Sequence, residues 1–217
     1  RQSCISSISN EVVLQKKCQL SELYKSNHDF RGLIGSNGKE KRLTTNIFSQ
    51  MNIFTEKKST EEDVCILGLI NNVRCYRFIS STYLEPHESL MQYKIILPKS
   101  SGSGVFGEEL SSPMIGEPGL GYTQSFISIG RYKHQKEAEF ALKYLKTKFT
   151  RALLGTLKVT QDNNKATWRN VPIQDFSEKS DIDWNQSIRE IDQQLYAKYG
   201  LAEEEIEFIE SNVRPMD

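Results

Sequence analysis

The sequence is poor in cysteine and histidine, and what it has is not paired. Its four cysteines (Cys4, Cys18, Cys65, Cys75) show no C-x-x-C spacing, and its three histidines (His28, His87, His134) lie far from them and from each other. That leaves out the ligand spacing of structural zinc, and reduced thiols in a cytoplasmic protein are the expected state. Long hydrophobic runs are also missing. The longest, Val64 to Ile70, is far short of the roughly 20 apolar residues a membrane-spanning helix needs, so no membrane partner is expected. Net charge is absent too, with 28 Lys and Arg against 28 Asp and Glu, which argues against a purely electrostatic nucleic-acid binder. No G-x-S-x-G elbow and no G-K-[ST] of a phosphate-binding loop occurs.

What is present is apolar material for a core: 217 residues at 37% hydrophobic and 26% charged content fit one globular domain, or one with a small appendage. The opening Arg1-Gln2-Ser3-Cys4-Ile5 has no leader layout, so the chain reads as a piece of a longer protein. The charges are also unevenly placed. Residues 167–217 hold 5 Lys or Arg against 12 Asp or Glu, which makes the tail −7 and the preceding body +7. A basic body with an acidic C-terminal tail is compatible with DNA contact by the body alone, and equally with a solvated helical pair at the end.

Val64–Ile70, Asn71-Asn72 and Val73–Ile79 read as a β-hairpin, because Asn tolerates the positive φ of a two-residue turn and Arg alternates with apolar residues in the second arm. Tyr93–Leu97 and Ser125–Ile129 are two further strands, joined by a long connection holding six glycines. Past Gly130 the period changes. Ala138, Leu142, Leu145, Phe149 and Leu153 predict one amphipathic helix of about five turns ending near Gly155, with Lys136, Lys143, Lys146, Lys148 and Arg151 on its other flanks. Trp184, Ile188, Ile191 and Leu195 predict a helix up to Gly200, capped by Asp181 or Asp183; Ile206, Ile209 and Val213 predict a shorter one, weakly started at Ala202. Before residue 64 the pattern is ambiguous: Glu11–Lys17 and Leu20–Tyr24 fit strand or helix, and Arg31–Arg42 reads as a basic, Gly-punctuated loop. The fold class is α+β: a mixed or antiparallel sheet with a long amphipathic helix and a C-terminal two-helix appendage.

No catalytic constellation emerges. Gly102, Gly104 and Gly107 meet a G-x-G-x-x-G spacing, but Ser111, Ser112 and Pro113 follow where a helix should open. The stretch reads as a flexible loop whose amides can approach a phosphate, or as a plain connector. Glu61-Glu62-Asp63 and Glu108-Glu109 read as solvated turns rather than a nuclease cluster, and Asp181-x-Asp183 lacks the Gly and Glu of a calcium loop. The candidates for DNA contact are polar residues on loops beside basic elements: Lys99, Ser101 and Ser103; Tyr132, Lys133 and His134; and Lys158, Gln161, Asn163, Asn164 and Lys165. Asn and Gln can bond adenine bidentately and Lys can read guanine or hold phosphate, although plain solvent exposure accounts for each residue as well.

Four segments in order carry a resemblance. They are Tyr93–Lys99 leading into Gly102-Ser103-Gly104; Gly121–Gly130; Leu145–Gly155; and a tail built on Leu157–Gln161, Trp168–Pro172 and Ser180–Trp184. Together they resemble the C-terminal target recognition region of type II restriction-modification adenine-specific DNA methyltransferases, the TaqI-like specificity domains, over residues 64–217. The resemblance implies a domain that recognises a duplex DNA sequence beside an upstream methyltransferase domain of the same parent chain. Residues 1–176 would be the target recognition domain and 177–217 a helical tail. The fragment would hold no catalytic residue, metal or cofactor, S-adenosylmethionine serving the parent protein, an N6-adenine methyltransferase with or without a fused endonuclease. The family's Asn-Pro-Pro motif is absent from the sequence. A rival expectation is a docking module of a restriction-modification complex that uses the Trp184, Ile188, Leu195 helix and the acidic tail.

Overall fold

The computed structural model describes residues 12–13 and 42–216. The expectations for Glu11–Lys17 and Leu20–Tyr24, apart from a short strand at Val12–Val13, and for residues 31–41 lie outside the described residues.

The elements in chain order are β1 (Val12–Val13), α1 (Ile47–Gln50), β2 (Asp63–Ile70), β3 (Val73–Ser80), β4 (Tyr93–Pro98), β5 (Met114–Gly116), β6 (Leu120–Tyr122), β7 (Phe126–Tyr132), α2 (Gln135–Lys146), α3 (Lys148–Gly155), α4 (Ile188–Tyr199) and α5 (Glu203–Asn212). They form an α+β fold with two small sheets. One is antiparallel with strand order β1-β7-β4-β5; the other, β3-β2-β6, pairs β2 with β3 antiparallel and with β6 in parallel. The hairpin forms as the sequence predicts, with Asn71 at φ 50 and Asn72 at φ 62 in the turn.

Burial on both faces explains why β2 reads as an unbroken apolar run. Val64 and Ile66 face Leu43, Ile47 and Met51 of the segment around α1, and Gly68 is glycine because Phe48 fills the space of a side chain: a Cβ there would meet its ring at 2.3 Å. Leu67 and Leu69 face the other sheet, where Ile96 and Phe126 meet them. β4 and β7 are two-faced in the same way. Ile95, Leu97, Ile127 and Ile129 pack under the helices, whereas Ile96 and Phe126 turn toward the smaller sheet. The apolar/polar alternation of β7 therefore marks two buried faces. Ser128 is inside, and its hydroxyl bonds that of Tyr122 at 2.7 Å.

The helical half departs from the sequence expectation at Thr147. The single five-turn helix is two, because Thr147 adopts φ −59, ψ 149 and ends α2. Its hydroxyl accepts from Thr150 N at 3.2 Å and caps α3. The free amides of Lys148 and Phe149 donate to the two carboxylate oxygens of Asp192, at 3.0 and 2.9 Å. A carboxylate on α4 thus fixes the start of α3. Burial pushes the Asp192 carboxyl up to about 6 against those two amide bonds and the Arg151 charge.

The α4 cap also differs. Ser187, not Asp181 or Asp183, caps it, in a reciprocal box with Glu190. Asp183 closes the turn before it, accepting from Asn185 N at 3.0 Å and Gln186 Nε2 at 2.9 Å, while Asp181 accepts from Lys198 at 2.7 Å. Trp184 precedes the helix and is buried, its indole N–H donating to Asp175 O. α5 lacks a side-chain cap at Ala202, whose amide donates instead to Glu205 at 2.8 Å.

One apolar cluster spans Ile95, Ile127, Tyr144, Phe149, Trp168, Phe176, Ile182, Trp184, Ile191, Leu195, Ile209 and Val213. Ile182, Trp184, Ile191, Leu195, Ile209 and Val213 of the tail therefore share a core with Phe176 and earlier residues. Two helical lysines meet acidic groups there, Lys148 Nζ binding Glu210 Oε2 at 2.6 Å and Lys136 lying 3.6 Å from Glu178, whereas Lys143 donates to the backbone carbonyls of Trp184 and Gln186 at 3.0 Å each.

Candidate functional site

Three strand ends converge on one side of the two sheets. The chain leaves β4 at Pro98-Lys99, the link from β6 to β7 runs through Gln124-Ser125, and the β2–β3 hairpin ends beside them at Leu69–Arg74. Backbone bonds hold the convergence, with Lys99 N donating to Ser125 O at 2.8 Å and Gln124 N to Leu43 O at 2.7 Å. Ser125 Oγ reaches Thr45 Oγ1 at 3.1 Å. Between them is a groove of about 630 Å³ lined by Arg42, Thr45, Asn72, Arg74, Lys99, Ser100, Gln124, Ser125 and Phe126.

The lining holds three cations and, among the described residues, no carboxylate. Arg74 is fixed within it. Its guanidinium lies 5.6 Å from the centre of the Phe126 ring, and Nη2 donates to Ser112 O at 2.8 Å. Lys99 makes no ion pair among the described residues. The opposite end of the hairpin is the reverse in sign: a second groove there is lined by Glu61, Glu62 and Asp63. Asp63 closes its turn by accepting from Ser59 N and Thr60 N, bonds that hold its carboxyl below the usual range. The hairpin, eight residues per arm, therefore runs from an acidic end to a basic one. The basic end also carries exposed apolar side chains, Val73 at 67% and Ile70 at 36%.

Two of the three predicted groups meet next to this groove. The segment after β4 pairs with the segment after α3 through Ser101 N to Gln161 O at 2.8 Å, Asn163 N to Lys99 O at 2.7 Å, and a bridge between Ser100 and Asp162. Within the pair, Lys99 faces the groove, and Ser103, Gln161 and Lys165 are exposed. Lys158 and Asn163 are interior residues, 5% and 1% exposed. Asn163 Nδ2 donates to Pro98 O at 3.0 Å and Ser101 Oγ at 2.8 Å; Asn164 Oδ1 accepts from Ala166 N at 2.8 Å and shapes the next turn. The third group is elsewhere. Tyr132 ends β7, six residues from Phe126 and about 20 Å along the strand, and Lys133 and His134 follow it. Tyr132 stacks edge-on against Phe176, and Glu137 binds the amides of Lys133 and His134.

The Gly-rich loop is not an open phosphate cradle, because an anion of the protein already occupies it. Glu108 accepts from Ser103 N at 2.6 Å, Ser103 Oγ at 3.0 Å and Gly104 N at 3.3 Å, and its Oε1 also takes a hydrogen bond from Lys158. Burial would raise the Glu108 carboxyl, but the Lys158 and Ser103 hydrogen bonds and the Lys158 charge lower it to about 2. Glu108 is thus a structural anion and not the solvated turn residue its doublet suggests. Gly104 sits at φ +82 against the Val159 backbone, where a Cβ would come within 2.7 Å. The loop is further pinned by Arg151, 2% exposed, which donates to Gly107 O and Glu108 O at 3.5 Å each and to Arg214 O; Arg214 N returns a bond to Gly107 O at 3.2 Å.

Sequence reasoning missed Arg42, Arg74, Gln124 and Ser125. Arg74 carried a signal, being the first charged residue after the Asn71-Asn72 turn; Ser125 joins the site beside the β4–β7 pairing, and Arg42 and Gln124 through the backbone bond of Gln124 N to Leu43 O. Cys65 and Cys75 are free thiols, and burial pushes both up. Among the described residues no group of three or more His, Cys, Asp or Glu could hold a metal ion, and no helix is long and apolar enough to cross a membrane. No protein-family model and no curated protein matches this chain.

Proposed function

We propose that this chain is a sequence-specific duplex DNA recognition domain of a restriction-modification N6-adenine methyltransferase, acting in the cytoplasm beside a catalytic domain of the same parent chain that binds S-adenosylmethionine. The single observation that carries the DNA-binding part is the groove lined by Arg42, Arg74 and Lys99, whose lining holds no carboxylate among the described residues. Phosphates need cations on a concave surface, and this one adds Asn72, Gln124 and Ser125, donors and acceptors suited to base edges. The hairpin tip beyond the β6 pairing, residues 68–75, is a two-stranded ribbon, an element the major groove admits, and exposed Val73 at its end could meet a thymine methyl. The restriction-modification assignment rests on the segment resemblance alone.

On this reading Arg74 and Lys99 position the backbone while residues around Asn71-Asn72 and Gln124 read sequence. The fragment performs no chemistry itself; the modification belongs to the catalytic domain. Binding to a randomised duplex pool, followed by sequencing of the retained fraction, tests it. A retained consensus, with affinity that falls as salt rises, is the expected result. A pool that emerges unenriched, or affinity indifferent to salt, would overturn the proposal.

A further inference from the structure

α3 and α5 leave a third groove between them, on a part of the molecule built from none of the residues of the basic site. Phe149, Ala152, Leu153 and Thr156 recur at helical spacing along one wall, and Leu201, Phe208 and Ile209 form the other, with Phe106 closing an end. Its volume is about 450 Å³, within the range of about 300–1,000 Å³ typical of ligand pockets. Phe208 is the notable member: a phenyl ring 56% exposed on a surface helix, held by one aromatic contact to Phe106 at 5.5 Å.

The charged residues that line the groove have one sign. Glu204 and Glu205 belong to the lining, Glu203 and Glu207 are exposed on the same helix, and among the described residues no Lys, Arg or His lines it. An apolar floor between two helices with an acidic rim is complementary to a third helix, apolar on one face and cationic along its edges.

We propose that the α3–α5 groove docks such a segment from a partner protein: an amphipathic helix with Leu or Phe anchors and flanking Lys or Arg. This places partner contact on α5 and not on the Trp184–Leu195 face, whose Trp184, Ile191 and Leu195 are already buried in the core. The inference is independent of the DNA reading, since no residue is shared between the two grooves.

The test uses a labelled peptide of about 14 residues, four helical turns, with Leu and Phe at i, i+3, i+4 and i+7 and Lys elsewhere, and a second peptide with Glu in place of every Lys. Fluorescence anisotropy on the chain should show saturable binding of the Lys peptide, at least tenfold weaker binding of the Glu peptide, and a loss of about tenfold or more in Phe208→Ser. Glu204→Lys, an exposed substitution that leaves the apolar floor intact, should weaken the Lys peptide and strengthen the Glu peptide, which keeps the test decisive if Phe208→Ser folds poorly. Equal binding of the two peptides, binding of neither, or affinities untouched by Glu204→Lys would overturn the proposal. Concentration-dependent self-association lost in Phe208→Ser would overturn it as well, by giving the groove to a second copy of the chain.

Discussion

Lys158 Nζ donates to Glu108 Oε1 inside the protein, joining two loops 50 residues apart in sequence beside the basic groove. Lys158 is buried and Glu108 largely so, with side chains 5% and 18% exposed, so removing one partner strands the other's charge. Lys158→Met should lower the unfolding free energy by about 3–5 kcal/mol, and adding Glu108→Gln should recover part of the loss. Urea titration of the two single variants and the double measures it. A Lys158→Met protein that keeps its stability but loses DNA affinity would return Lys158 to the binding surface.

The same carboxyl predicts a pH dependence. Its folded pKa, about 2, lies below the ordinary value of 4.5, so its contribution is complete above pH 4.5 and is lost as pH falls from there toward 2. Wild type and Glu108→Gln should therefore converge in stability as pH is lowered through that window, the separation at neutral pH being about 3 kcal/mol at most. Thermal melts at a series of pH values would show the convergence; a constant separation would rule out the shift.

The groove makes a prediction that separates phosphate contact from mere surface charge. Lys99→Ala should weaken duplex binding across all sequences and reduce the slope of log affinity against log salt by about 1. Lys133→Ala, at the far end of β7, should leave the slope unchanged. Titrations at several salt concentrations compare the two directly.

Thr147→Ala removes the α3 cap and should cost about 1 kcal/mol. Asp192→Ala should cost more, because two helix amides lose their acceptor at once. Chemical denaturation ranks the two variants, and a larger effect from Thr147→Ala would contradict the capping role assigned to Asp192.

That break also shows what the sequence could and could not disclose. The hairpin was legible because everything that fixes it is local: alternation in two arms and Asn at both positive-φ positions. The helix break was not, since the apolar spacing from Ala138 to Leu153 runs straight through Thr147 and the carboxylate that secures it lies 44 residues downstream of Lys148. The site divides along the same line. Lys99 was legible as a cation just after a strand. Lys158 and Asn163 were misjudged as surface groups because polarity suggests exposure until a buried partner is seen, and Arg42, Arg74 and Gln124 meet through long-range backbone contacts that no local pattern announces.

Leu195 is fully buried among residues from both halves of the chain. Leu195→Ala should destabilise the whole protein by about 2–5 kcal/mol, and deletion from residue 178 onward should leave no cooperative unfolding transition. Calorimetry decides between this and a detachable appendage, which would melt as if the deletion had not been made.

The Arg151 clasp has a consequence for biosynthesis. Gly107 and Glu108 are held through Arg151 and Arg214, and a Cβ on Gly107 would meet Asn212 O at 2.4 Å, so the loop packs directly on backbone made about a hundred residues later. The strands, α2 and α3 can pack once α4 has emerged, but the loop flanking the basic groove has nothing to close on until residues 212–214 follow. On the proposed function, a nascent chain stalled before that point would carry its lysines and arginines without the frame that aims them, and would engage nucleic acid by charge and not by sequence.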